Sequence, residues 1–275
     1  MRNYGMPTLL ELPKIEDCAK LCAELGLDFI EFNMNLPQYQ TDRLNVSTFS
    51  EIAERYGVYY TIHLDENLIP CDFNNKIAAA CTQTVLETIE IAKQLNVSIL
   101  NMHLHSGIYF TLPGNKVFLF DKYESEYLRK LIAFRNTCEI AIGGADIKIC
   151  VENTGVYNIA FMRKSLDILL ESSAFALTFD IGHNAAANFS DEPVIMKYTD
   201  RLSHMHIHDF TSDFRSRAES RQFKFGRDHL TLGDGELDLA KYFALAQAND
   251  CRMVIEVKTV DGLRQSVDYI KNFHT

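Results

Sequence analysis

No run of about 18 apolar residues occurs in the chain, so a transmembrane helix is not expected. Met1-Arg2-Asn3-Tyr4-Gly5 lacks the basic-then-apolar pattern of a secretion signal, and a cytoplasmic location without a membrane partner is the expectation. No CxxC pair is present, and the seven cysteines, at 18, 22, 71, 81, 138, 150 and 251, are scattered and odd in number. Cys18 and Cys22 fall one helical turn apart among apolar neighbours, as core thiols do. All seven are therefore expected to be reduced, and none to hold metal. Excess positive charge is also missing. The net charge of −10 disfavours DNA as a partner, without excluding a local basic patch. No low-complexity or Pro/Gly/Ser-rich stretch divides the 275 residues, so one domain over 1–275 is expected.

What the chain does have is alternation. Short β-rich runs at 28–33, 59–64, 98–105, 147–153, 174–183, 202–210 and 252–257, with one more before about Leu10, make eight candidate strands. Apolar residues recur at helical spacing between them. Ile15, Cys18, Cys22 and Leu25 mark the first helix, ended by Gly26; Phe49, Ile52 and Tyr56 mark the second, between Ser47 as N-cap and Gly57. Later helices include one stopping before Gly143-Gly144 and a short one opening at Ser190-Asp191-Glu192-Pro193. Such alternation implies parallel strands with right-handed crossovers. Eight units in 275 residues fit an α/β fold, a single (β/α)8 TIM barrel. An open doubly wound sheet is the competing topology, but no GxGxxG follows the first strand.

Eight of the nine histidines sit at or just after a candidate strand: His63, His103, His105, His183, His204, His206, His208 and His229. Glu31, Glu152, Asp180, Asp209 and Glu256 share those strand ends. A barrel brings all strand C-termini to one face. One strand histidine is ordinarily a hydrogen-bonded core residue, but so many beside carboxylates would each need a buried partner. Imidazoles and carboxylates without thiolates suit divalent Zn, Mn, Co or Fe, and Mg where carboxylates predominate. Period-two geometry puts His204, His206 and His208 on one side of their strand, and His103 with His105 on one side of theirs. Residues near the strand end reach the metal, while deeper ones, His204 first, pack inside.

Thr61-Ile-His-Leu64, Asn101-Met-His-Leu-His105, Val151-Glu-Asn-Thr154, Phe179-Asp-Ile-Gly-His183, His206-Ile-His-Asp209, Leu232-Gly-Asp-Gly235 and Ile255-Glu-Val257 occur in this order. Through them the chain resembles the xylose isomerase-like barrel superfamily, which holds sugar isomerases and epimerases and also the endonuclease IV apurinic-site nucleases. The resemblance implies that Glu152, Asp180, His206 and Glu256 match the four ligands of the single-metal isomerases and epimerases. His183 matches a histidine that contacts substrate there, or binds metal in the nuclease branch. His63, His229 and one of His103 or His105 match further nuclease zinc ligands, and His208 is an additional candidate. The nuclease branch has an aspartate where this chain has Arg227, with Asp228 displaced by one.

The resemblance implies a metal-dependent sugar or sugar phosphate isomerase or epimerase. One divalent ion, with up to three as the alternative, would polarise a carbonyl, and a proton would move through an enediolate. Glu152 and Glu256 would carry the proton on opposite faces, or serve only as ligands, and His183 would stabilise the oxyanion. Two alternatives stand beside this reading: an endonuclease IV-like zinc phosphodiesterase acting on abasic DNA, and a metal-stabilised barrel that only binds a ligand. The 210–236 loop carries Arg215, Arg217, Arg221, Lys224 and Arg227 among Phe214, Phe223 and Phe225. It reads as a solvated lid, as an anchor for anionic substrate through residues such as Arg221 and Arg227, or as a DNA contact. Tyr109, Phe110, Phe118 and Phe120 are packed loop aromatics, a pocket lining or a homo-oligomer contact. Glu31 either binds a sugar hydroxyl or hydrogen-bonds behind the site.

Overall fold

The computed structural model describes residues 3–212 and 227–273. Eight parallel strands close into a barrel: β1 (Tyr4–Pro7), β2 (Phe29–Asn33), β3 (Tyr59–His63), β4 (Ile99–His103), β5 (Lys148–Glu152), β6 (Phe175–Asp180), β7 (Leu202–Ile207) and β8 (Arg252–Ile255). Each strand pairs with its neighbours in sequence, and β8 pairs back onto β1. The expected closed barrel is therefore the observed fold, and the open sheet is not. Among the described residues, no helix is long and apolar enough to cross a membrane.

The inside of the barrel has two levels. On the faces that carry the later site residues, Ile99, Cys150 and Ala176 form a small buried apolar cluster two or four residues earlier. Phe29 fills the same lower level, its ring where a Cβ on Gly5 would come within 2.5 Å, so β1 needs glycine at this crossing. Above the plug the interior turns polar: Thr61, Asn101, Glu152, Thr178, Asp180, His204 and His206 are all buried. Outward faces pack on helices whose apolar stripes the sequence spacing announced, including Ile15–Leu25, Asn75–Leu95, Glu124–Ile142 and Val260–Phe273. All seven cysteines are buried and free.

Several boundaries depart from expectation. The second helix spans Val46–Tyr56 and is capped by Asn45, whose side chain accepts from Thr48 N–H, while Ser47 lies inside it. The sixth strand stops at Asp180, and Ile181–Ala186 is a helix capped by the Asp180 side chain. Here the carboxylate, accepting the His183 N–H, ends the extended run. Two antiparallel hairpins were not foreseen. Tyr109–Thr111 pairs with Lys116–Phe118 after β4, and Asp209–Thr211 pairs with Arg227–Leu230 after β7. In the first, Tyr109 and Phe110 are exposed and Phe118 packs on Phe161, while Phe120, in the short helix Leu119–Lys122 that follows, is buried and stacks on Tyr127. Arg215, Arg217, Arg221, Lys224 and their neighbouring phenylalanines, and the side chain of Arg227, lie outside the described residues.

Candidate metal centre

Glu152 ends β5, Asp180 ends β6, His206 lies on β7, and Glu256 follows β8. Lateral pairing sets Asp180 beside His206, and His103 beside Glu152. His206 Nδ1 is 3.0 Å from Glu256 Oε2, 3.5 Å from Glu152 Oε2 and 3.8 Å from Asp180 Oδ2. His183 Nδ1 is 3.0 Å from Glu152 Oε1 and 3.5 Å from Asp180 Oδ2.

Glu152 Oε1, His183 Nδ1, His206 Nδ1 and Glu256 Oε2 are among the buried polar atoms without a hydrogen-bond partner. Each such atom ordinarily costs about 1–3 kcal/mol. They belong to two neighbouring groups that share Asp180, and carboxylate with imidazole donors in each fits a divalent cation. Three-residue groups able to hold one include Asp180, His206 and Glu256, and also Glu152, Asp180 and His183.

A second ring of contacts holds these side chains from behind. Asn101 Nδ2 donates to Glu152 Oε2, which His103 Nε2 also approaches to 3.2 Å and His63 Nε2 to 3.6 Å. Lys258 Nζ lies 2.6 Å from Glu256 Oε1. Asn153 takes Asp180 by the backbone, accepting its N–H at 2.8 Å and donating to its carbonyl at 2.9 Å. Glu31 is buried beneath His206: Oε1 is 2.8 Å from His206 Nε2, and Oε2 meets His204 Nε2 at 2.8 Å and the Thr61 hydroxyl at 3.1 Å. Oε2 is thus hydrogen-bonded and Oε1 lies at ion-pair distance from His206 Nε2, and Glu31, His204 and His206 form a further group able to hold an ion. His204 is fully buried, as its depth in the strand implied.

Charge follows from this crowding. Burial alone would raise the Glu152 carboxyl, but His206 and His103 hold it well below the usual range. Burial is likewise outweighed at Glu256, by Lys258 and His206, and at Glu31, by His206 and His204. The histidines respond in the opposite sense. Burial would lower His183, but Asp180 and Glu152 raise it to about 10. Glu152 likewise overcomes burial to raise His63 to about 9.

The remaining histidines divide. His63 and His103 form a group with Glu152 that could hold an ion. His105 faces away, its Nε2 against the Glu66 carbonyl, so the choice between His103 and His105 falls to His103. His229 sits at the mouth, with Nε2 3.5 Å from Glu256 Oε1 and Nδ1 3.2 Å from Asp228 Oδ1. His208 bonds Asp180 instead. Asn101, Asn153 and Lys258 were not singled out from sequence. Asn101 stands two residues before His103 on the same strand face, a usable signal; Asn153 makes its contacts across to β6, which no spacing announces.

A family model, the xylose isomerase-like TIM barrel, matches residues 19–273. The uncharacterized protein MJ1614 of Methanocaldococcus jannaschii is 25% identical over 227 residues, covering 80% of each chain. Among solved structures, a D-tagatose 3-epimerase-like protein superposes with TM-score 0.75 at 21% identity, covering 98% of this chain and 96% of that one. The IolI protein with a binding zinc atom gives TM-score 0.68 at 15% identity and the same coverage. At these identities the superpositions report shared fold. The chain belongs to the xylose isomerase-like TIM barrel family.

Proposed function

We propose that this barrel is a metal-dependent isomerase or epimerase of a sugar or sugar phosphate. The observation that carries the reading is the meeting of two possible ligand groups that share Asp180, namely Asp180, His206 and Glu256, and Glu152, Asp180 and His183, with His206 Nδ1 within 3.8 Å of Glu152, Asp180 and Glu256. The D-tagatose 3-epimerase-like neighbour and the zinc-containing IolI structure support it. A divalent ion held by those four residues would polarise a substrate carbonyl and acidify the adjoining C–H. Zn, Mn, Co and Mg all suit the donor set.

The chain itself supplies the proton carriers. Glu152 and Glu256 come from β5 and β8, three places apart around the ring, so they approach a central substrate from different sides. A carboxylate on each side suits removal of a proton from one face of a carbon and its return to the other, which is epimerisation. His183 lies beside the ligand set, 3.0 Å from Glu152 Oε1, where its imidazole would stabilise a substrate oxygen as negative charge develops there.

A second reading, zinc-dependent phosphodiester cleavage, is favoured by one observation: His63 and His103 crowd the far side of Glu152 as a further metal group would. Metal analysis of protein purified without added metal separates the two, combined with turnover assays on ketoses, their phosphates and abasic DNA. One exchangeable ion with sugar turnover supports isomerisation. About three zincs with DNA cleavage would overturn it, and metal-dependent stability without any turnover would leave a binding protein.

A further inference from the structure

His208 follows β7 directly, and its ring is wholly buried. The backbone N–H of His229 donates to its Nδ1 at 2.8 Å. Nδ1 also lies 3.4 Å from the Asp209 carbonyl oxygen, but the shorter contact is with a backbone N–H that can only donate, so Nδ1 carries a lone pair and the ring proton resides on Nε2. Nε2 lies 3.1 Å from Asp180 Oδ1 and 3.2 Å from Oδ2, where an N–H is attractive and a bare nitrogen would repel both oxygens. Neither nitrogen therefore has a lone pair free for a metal, although His208, His229 and Glu256 lie close enough to form a candidate group.

Packing fixes the ring as firmly as its hydrogen bonds. The His229 imidazole stacks on it, with centroids 4.2 Å apart and planes 6° from parallel. On the Gly182 side there is room for the ring only because that residue has no side chain: a Cβ would stand 1.8 Å from His208 Cε1. Gly182 is two residues beyond Asp180, so the turn carrying the carboxylate also makes space for the imidazole that grips it.

We infer that His208 is a positioning residue, an imidazole strut that fixes the Asp180 carboxylate of β6 and the His229 backbone relative to each other. This rests on the metal-centre reading above. An imidazole N–H aimed at both oxygens orients the Asp180 carboxylate from behind.

Two variants separate the two bonds. The side-chain oxygen of Asn in H208N can stand where Nδ1 accepts from His229, but no donor reaches Asp180. The amide nitrogen of Gln in H208Q reaches the Nε2 position. Zinc affinity is read by calorimetric titration, with circular dichroism as the check on folding. H208N should weaken zinc binding by about 10–100-fold, and H208Q should recover most of the loss. Independently, a long-range 1H–15N spectrum of the unaltered protein should show His208 protonated on Nε2 alone, both before and after zinc addition. A zinc-induced change of His208 to a ligand's shift, or undiminished affinity in H208N, would overturn the inference. Failure of the unaltered protein to bind zinc, manganese, cobalt or magnesium would instead remove the metal centre itself.

Discussion

His206 Nδ1 and Glu256 Oε2 lie 3.0 Å apart, both buried and neither hydrogen-bonded. The opposite nitrogen of the same ring faces Glu31 at 2.8 Å. Two carboxylates thus address one imidazole from its two ends, one beneath the centre and one at its rim. The upper pair faces the space shared with Glu152 and Asp180.

Glu256→Gln removes a ligand charge with little change of shape. Metal retention after gel filtration should fall by more than the roughly 10–100-fold that loss of an outer partner costs, and turnover should vanish with it. Metal content by elemental analysis at unchanged circular dichroism is the measurement. Full retention would end the assignment of Glu256 as a ligand.

Metal removal should lower stability in a pH-dependent way. At a free-metal concentration about a thousandfold above Kd, bound metal adds about 4 kcal/mol, a fall in Tm of roughly 10 °C on stripping for a chain of this size. In the stripped protein, ring protons take over part of the neutralisation. Burial would lower His63 and His229, but their carboxylate partners, Glu152 for His63 and Asp228 with Glu256 for His229, raise each to about 9; His183 is raised to about 10. Because these values lie above the unfolded value near 6.5, their stabilisation is complete below about pH 6.5 and is lost as pH rises through about 9 to 10. Thermal melts of chelator-treated protein should therefore show Tm declining across that window. Metal affinity should rise over the same range, since binding displaces protons. A flat Tm would contradict the charge assignment.

Glu31→Gln tests the contact beneath the centre. The glutamine keeps the volume but leaves His204 and His206 without their buried anion, and breaking such a pair commonly costs about 3–5 kcal/mol. Urea unfolding of the metal-free protein should register a loss of that order, and metal affinity should fall as well. A pure substrate contact would instead raise KM with stability unchanged.

His103→Ala and His105→Ala should differ. Only His103 faces Glu152, so its loss should change the metal stoichiometry if a second ion binds there, or weaken the hold on Glu152 if none does. His105→Ala should leave metal content unchanged, because its Nε2 contacts the Glu66 carbonyl instead. Equal effects would show that the two histidines share one role.

The order of strands and helices was written in the sequence, since apolar period and turn residues are local properties and eight repeats leave few ways to close. That the strand-end histidines and carboxylates meet followed from the same count, because parallel closure sends every strand end to one face, while the choice of Glu152, Asp180, His206 and Glu256 among them came from the family resemblance. Depth and direction within that face belonged to the tertiary structure. Glu31 and Glu152 are both strand glutamates, yet one is enclosed between two histidines below the centre and the other opens into it. His103 and His105 share a strand parity, but β4 stops at His103, so the rule of alternation no longer governs the residue beyond. The contact made by His208 Nδ1 comes from a backbone N–H supplied by a strand 21 residues further on. Sequence spacing specifies which side chains arrive at the barrel mouth; which lone pairs remain free there depends on contacts between strands that only the closed barrel brings together.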